Sequence, residues 1–330
     1  MRAITIPIFG DADVLTIVEV QQPELGPGDL LIEVAAAGVN RADLSQREGH
    51  YPPPPGAPDW PGMELSGVVA AIGEEVNGFE VGDRVCALVP GGGYAERAVV
   101  DAGLVMLVPA NVDLVDAAGI PEAACTVWAN VFMAAGLRQG QSLLVHGGSS
   151  GIGSLAIQLA VARGATVFAT AGSAAKVAFC EDLGARAINY REQDFAEVVA
   201  AETDGGGVDV ILDLVGGDYL SRNISSLATG GTIMIIANQS NAPGSFDIGL
   251  LMRKRARIWA TTLRARPLAE RAVIVAGVRE SVLPLFADGR MHTVTDSVFP
   301  FERAADAHRR MEASEHSGKI LLSAGRTSQT

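Results

Sequence analysis

An apolar run that stops at glycines and serines, then restarts with helical spacing, constrains this chain's fold most tightly: residues 143–160 read LLVHGGSSGIGSLAIQLA. Gly148, Gly151 and Gly153 stand in the order G-x-x-G-x-G, directly after a strand-like run and directly before a helix-like one. Glycines let the backbone turn tightly and approach a pyrophosphate, and a helix N-terminus stabilises its negative charge. Strand, loop, helix and next strand in this order predict a dinucleotide site.

The surrounding texture agrees. The strand-like runs SLLVHG, ATVFATA, RAINY, VDVILDLVG and GTIMIIA alternate with the helix-like runs IGSLAIQLAVARG, AAKVAFCEDLGA, DFAEVVAAETDG and YLSRNISSLATG. Nearly continuous apolar strands separated by helices predict a parallel sheet covered on both faces, a doubly wound α/β arrangement. The first third reads instead as an all-β module of short runs such as LLIEVAAAGV and SGVVAAIG, with YPPPPGAPDWPG as a stiff extended loop. RIWATTLR reads as the last strand of the parallel sheet. AERAVIVAGVRESVLPLFADG and the stretch through Met311 read as helices, and GKILLSA as a strand that must return to the N-terminal β module.

The ribose end of the site is decided about 20 residues past the loop, where an NAD site usually carries Asp or Glu. This chain reads ATAGSAAK there, with Gly172, Ser173 and Lys176 and no acid. A carboxylate would repel a 2′-phosphate, whereas a hydroxyl and an ammonium bind it. The expected cofactor is NADPH.

Composition limits the rest. The 330 residues are 48% hydrophobic and 19% charged, enough for packed cores, and a formal charge of −13 argues against a nucleic-acid surface. Three scattered cysteines without a C-x-x-C pair predict free thiols in a reducing compartment. Residues 1–10 lack a signal-peptide pattern, and no apolar run approaches the ~18 residues of a membrane span. A cytoplasmic protein without a membrane partner is expected.

The runs GVNRADLSQREGHYPPPPGA, PGGGYAE, IPEA, HGGSSGIG, INYREQDF and AHRRMEASEHSGKILL together resemble the medium-chain dehydrogenase/reductase superfamily. Within it they resemble the zinc-independent, zeta-crystallin-like quinone oxidoreductases, in the branch of the tumour-suppressor-inducible enzyme. The resemblance implies a GroES-like β-rich catalytic domain of residues 1–121 and 265–330 and a Rossmann NADPH-binding domain of residues 122–264. It also departs from the zinc-using cousins, because Asn40 and Met63 stand at two ligand positions and only Glu64 is kept. An amide and a thioether are poor ligands for zinc.

By the same resemblance Tyr51 and Ser150 line the acceptor position with Asn40 nearby. Thr126, Gly151, Ile152, Tyr190, Asn238, Leu263 and Lys319 join Gly148, Gly153, Gly172, Ser173 and Lys176 as cofactor contacts. The implied activity is reduction of a quinone or related conjugated carbonyl by NADPH without metal. Reduction of an enoyl-thioester or enone double bond, and NADPH binding without catalysis, stand as alternatives. A homodimer joined through the Rossmann edge strand is expected as well.

Overall fold

The computed structural model describes residues 1–325. In chain order the first segment carries β1 (Arg2–Thr5), β2 (Thr16–Glu19), β3 (Asp29–Val39), α1 (Arg41–Arg47), β4 (Glu64–Ile72), β5 (Arg84–Leu88), β6 (Arg97–Asp101) and β7 (Val105–Leu107). Next come α2 (Pro121–Val127), β8 (Ser142–Val145), α3 (Gly151–Ala162), β9 (Thr166–Ala171), α4 (Ala174–Asp182), β10 (Arg186–Asn189), α5 (Phe195–Glu202), β11 (Val208–Asp213), α6 (Leu220–Ser226), β12 (Leu227–Ile235), α7 (Ile248–Lys254) and β13 (Arg257–Ala260). The last segment holds α8 (Leu268–Ser281), α9 (Leu283–Ala287), β14 (Thr295–Pro300), α10 (Ala304–Ala313) and β15 (Lys319–Ser323). The chain divides into two compact units, one of residues 1–125 and 263–330, the other of residues 126–262.

The first unit is built on a seven-stranded sheet ordered β14-β15-β3-β4-β5-β7, with β6 also paired to β3. The C-terminal strand β15 pairs antiparallel with β3, Ile320 opposite Val39 and Ser323 opposite Ala36. Burial explains that return. Ile320, Leu321 and Leu322 have no exposed surface, and Ile320 and Leu322 pack with Ile4, Val39, Tyr94 and Phe301. The module is not all β. Helix α1 interrupts it because Asp43 turns back to accept the Asn40 backbone N–H at 2.8 Å, satisfying a donor at the helix start.

The second unit is a parallel six-stranded sheet ordered β10-β9-β8-β11-β12-β13, with the reversal of a doubly wound fold between β8 and β11. Helix α3 is buried from Gly153 to Ala160, which fits its apolar character all round. One helix is shorter than its sequence pattern suggests. The run YLSRNISSLATG turns extended at Leu227, where β12 begins against Val208 with a bulge before Thr232. The two glycines after Thr229 favour that change, with Gly230 at φ +85°.

Candidate functional site

In the first unit, a buried charge cluster forms where α1, β4, α2 and β15 contribute side chains. Asn40 follows β3 and caps α1, and its amide Nδ2 donates to Glu64 Oε1 at 2.9 Å. Lys319 opens β15, and its Nζ donates to Glu64 Oε1 at 2.5 Å and to Asn40 Oδ1 at 2.8 Å. The Glu122 backbone N–H, in the first turn of α2, donates to Glu64 Oε2 at 2.9 Å. Glu64 is fully buried and Lys319 is 7% exposed. Both oxygens of Glu64 are therefore engaged, as a buried carboxylate requires.

Two further carboxyls stand here. Asp43 accepts from the Gly62 backbone N–H at 3.0 Å and from the Tyr94 hydroxyl at 3.3 Å. Burial raises its carboxyl to about 6, against the pull of those backbone N–H groups. Burial, then the charge of Glu64, raise the Glu122 carboxyl to about 8. Behind Asp43, Tyr94 meets His308 Nε2 at 3.3 Å, and burial lowers His308 to about 3.

Tyr51 lies beside Arg264, whose guanidinium carbon stands 5.3 Å from the phenol ring centroid. Arg264 donates to Pro90 O at 2.5 Å, Gln46 Oε1 at 2.7 Å and Tyr51 O at 3.3 Å, so one side chain ties α1 to the loop that presents Tyr51. Burial, and then Glu122, raise the Tyr51 phenol above its ordinary 10.0, so it carries its proton at neutral pH.

The second unit holds the glycine loop. Ser150 is the N-cap of α3, and its Oγ accepts the Gly153 backbone N–H at 3.0 Å. A Cβ on Gly153 would stand 2.3 Å from Gly147 O, so no other residue permits this approach. The remaining orphan N–H groups at the start of α3 suit an anion. Gly151 and Ile152 occupy that first turn and are half-buried. Gly148 is packed against Ala169 and Cys180, where a Cβ would approach 2.8 Å and 2.9 Å.

At the end of β9, Ser173 caps α4 and accepts the Lys176 backbone N–H at 3.4 Å. Tyr190, 40% exposed after β10, faces Gly172, where a Cβ would stand 2.7 Å from its hydroxyl. Gly172, Ser173, Lys176 and Tyr190 thus form one hydroxyl- and amine-bearing corner without a carboxylate of their own. Buried Thr126 offers its carbonyl to Asn130 Nδ2 at 2.8 Å, while Asn130 Oδ1 accepts the Thr261 hydroxyl at 2.6 Å. Asn238 Oδ1 accepts the Gly217 N–H and the Ser240 hydroxyl, both at 3.2 Å, so its side chain braces the loop after β11.

Two of the expected residues come from the other stretch of the chain. Lys319 and Leu263 belong to the first unit, and Lys319 spends two of its three N–H donors on Glu64 and Asn40. Lys319 and Asn40 thus share Glu64 as their acceptor within that unit.

Sequence reasoning missed a buried relay in the second unit. The Gly147 N–H reaches Thr170 Oγ1 at 3.3 Å, Thr170 Oγ1 meets His146 Nδ1 at 3.1 Å, and His146 Nε2 meets Asn223 Oδ1 at 2.7 Å. Asn223 Nδ2 then donates to Asp213 Oδ2 at 2.9 Å, and Asp213 Oδ1 holds the Val215 and Gly216 N–H groups. Because Asn223 Oδ1 is an acceptor, His146 carries its proton on Nε2 and accepts on Nδ1. Burial lowers this imidazole to about 4, which keeps it neutral. Arg264, Glu122 and Asp43 were missed too. Glu122 follows a proline at a helix start and Arg264 adjoins a buried leucine, positions where charge has ordinary explanations.

Both units match families of known proteins. The description "Alcohol dehydrogenase GroES-like domain" matches residues 26–110 and "Zinc-binding dehydrogenase" matches residues 151–275. A probable quinone oxidoreductase of Schizosaccharomyces pombe is 32% identical over 315 residues, covering 95% of this chain and 94% of that protein. A mycocerosic acid synthase-like polyketide synthase of Mycobacterium tuberculosis is 30% identical over 97% of this chain, which spans only 15% of that relative's length. The solved structure of Escherichia coli quinone oxidoreductase complexed with NADPH is 27% identical, with a TM-score of 0.86 over 98% of this chain and 100% of that one.

Proposed function

The chain belongs to the zinc-independent quinone oxidoreductase family of medium-chain dehydrogenases/reductases, and from that membership we propose that it uses NADPH to reduce quinones or related conjugated carbonyls. The carrying observation is the corner of Gly172, Ser173, Lys176 and Tyr190 beside a glycine loop whose Gly153 admits no side chain. Its residues fit NADPH. The first-turn N–H groups of α3 would hold the pyrophosphate, and the Ser173 hydroxyl and Lys176 amine would supply donors for a 2′-phosphate. When bound, the nicotinamide supplies a hydride.

Zinc, which one family description names, does not fit. Glu64 Oε1 already receives an ammonium and an amide, and Oε2 a backbone N–H. A cation would have to displace Lys319 and the Asn40 amide from Glu64, and an amide is a poor ligand for zinc.

This chain's own part is positioning and proton supply. Arg264 holds the Tyr51 loop, and Tyr51 Oη carries a proton that an acceptor oxygen can take. Ser150 supports the phosphate loop through its bond to Gly153. A cytoplasmic setting belongs to the same reading, since Cys86, Cys125 and Cys180 are free and buried. So does a homodimer. Strand β13 is a sheet edge, and Trp259 on it is 51% exposed.

A second reading, reduction of an enoyl-thioester double bond, is favoured by the match to a segment of a polyketide synthase. Following NADPH oxidation with a simple quinone, a small enone and an enoyl thioester separates the two. The first reading expects turnover of the quinone; turnover of the thioester alone overturns it.

A further inference from the structure

Resting on the NADPH reading, we propose that Asp213, Asn223, His146 and Thr170 are positioning residues that couple the two halves of the cofactor site, holding the loop after β11 in place against the glycine loop. The topology gives the reason for a coupling here. Strands β8 and β11 are parallel neighbours at the point where the winding reverses, and a ligand lies outside the carboxyl ends of strands at such a point. The corner suited to a 2′-phosphate follows β9 and β10, and the glycine loop follows β8. In the order β10-β9-β8-β11-β12, the rest of a dinucleotide must continue over β11 and β12. Beyond the His146 N–H to Leu212 O bond, at 3.0 Å, no backbone hydrogen bond joins the two loops among the described residues. The loop after β11 also sets its neighbour: a Cβ on Gly216 would stand 2.2 Å from Asn238 Oδ1.

The connection runs instead through buried side chains. His146, Asn223 and Asp213 have no exposed surface, and Thr170 has 1%. Their polarity is fixed from one end. Asp213 Oδ1 accepts the Val215 and Gly216 N–H groups at 2.7 and 3.1 Å, and a carboxylate can only accept. Asn223 must therefore turn Nδ2 toward Asp213 Oδ2, which leaves its Oδ1 for the His146 Nε2–H. His146 Nδ1 then accepts the Thr170 hydroxyl, whose oxygen takes the Gly147 N–H. Every link donates toward Asp213, so no buried donor or acceptor along the chain is idle. Burial raises the Asp213 carboxyl, and its three N–H donors oppose that rise.

Packing alone does not call for this arrangement. The His146 ring lies edge to face with Phe195 at 4.7 Å and with Tyr219 at 4.8 Å, a space that an apolar side chain would also fill. A polar chain through such a layer costs free energy unless every member is satisfied, as each is here. What it supplies beyond burial is a fixed spacing, with Gly147 at one end and Val215 and Gly216 at the other.

Two measurements test this. Nitrogen-15 NMR of the ligand-free protein should place the His146 proton on Nε2. In Asp213→Asn the new amide can donate to Asn223, whose amide then turns and donates to His146, so the proton should move to Nδ1. A ring held by packing alone has no reason to change tautomer. The second measurement is calorimetric binding of NADPH and of adenosine 2′,5′-bisphosphate, a probe that reaches only the 2′-phosphate corner and the glycine loop. His146→Leu with Asn223→Leu removes the middle of the chain without leaving a lone donor between them. This double variant should bind NADPH about tenfold more weakly and the bisphosphate less than about twofold more weakly. Equal losses for both ligands, no loss for either, or an unmoved proton in Asp213→Asn overturns the proposal. The nearly isosteric Asp213→Asn protein decides the matter if the double variant does not fold. An unaltered protein that binds neither ligand, while Asp213→Asn moves the proton, overturns the NADPH reading instead, and the coupling with it.

Discussion

Lys319 Nζ lies 2.5 Å from Glu64 Oε1, so a side-chain ammonium neutralises a carboxylate that has no exposed surface. The pair joins β15, from the end of the chain, to β4, from its first quarter, and Asn40 bonds to both partners.

Removing one partner of such a pair leaves the other charge buried and alone, at about 3–5 kcal/mol. Lys319→Met should lose stability on that scale in urea denaturation. Lys319→Met with Glu64→Gln should recover much of it, because no lone charge remains. A single variant within about 1 kcal/mol of the unaltered protein would show that the pair is not holding these strands.

Tyr51→Phe removes the proton that the account assigns to the acceptor and leaves the ring beside Arg264. It should lower kcat by about tenfold or more, or ~1.4 kcal/mol, without changing NADPH affinity. The loss should be larger for an enone than for a quinone, which gains driving force without prompt protonation. Unaltered kcat on both acceptors would reduce the phenol to a wall of the site.

His146 links stability to acid. Its folded value, about 4, lies below the ordinary 6.5, so the unfolded chain takes up the proton first as pH falls. Its contribution is complete above about pH 6.5 and drains away as pH falls toward about 4. His308, at about 3, acts in the same direction in the first unit. Between pH 6 and 5 the His146→Gln protein should lose up to ~1.4 kcal/mol less than the unaltered one. Equal losses in urea denaturation would mean that His146 is not buried and neutral.

The glycine loop and the returning C-terminal strand were legible because both are local patterns. Gly153 must be glycine for one close approach, and Ile320–Leu322 need a sheet to cover them. The charge cluster was not legible. Asn40, Glu64, Glu122, Arg264 and Lys319 lie far apart in sequence, and each has a solvated explanation where it stands. Their roles arise only when tertiary packing excludes water and forces each donor to find an acceptor. The His146 relay was hidden for the same reason, since Thr170, Asn223 and Asp213 look like ordinary strand and helix polar residues. Helix α1 was missed because its capping contact at Asp43 outweighed a β-rich context.

The proposed NADPH specificity is probed at Lys176, the third residue of α4, whose N–H the Ser173 hydroxyl accepts. The measurement is the affinity of the protein for NADPH and NADH by cofactor fluorescence titration, before and after Lys176→Ala. The unaltered protein should bind NADPH more tightly than NADH. The variant should lose roughly 1.5–3 kcal/mol of NADPH binding, with NADH hardly changed. Equal affinity for the two cofactors in the unaltered protein, or equal losses in the variant, would contradict it.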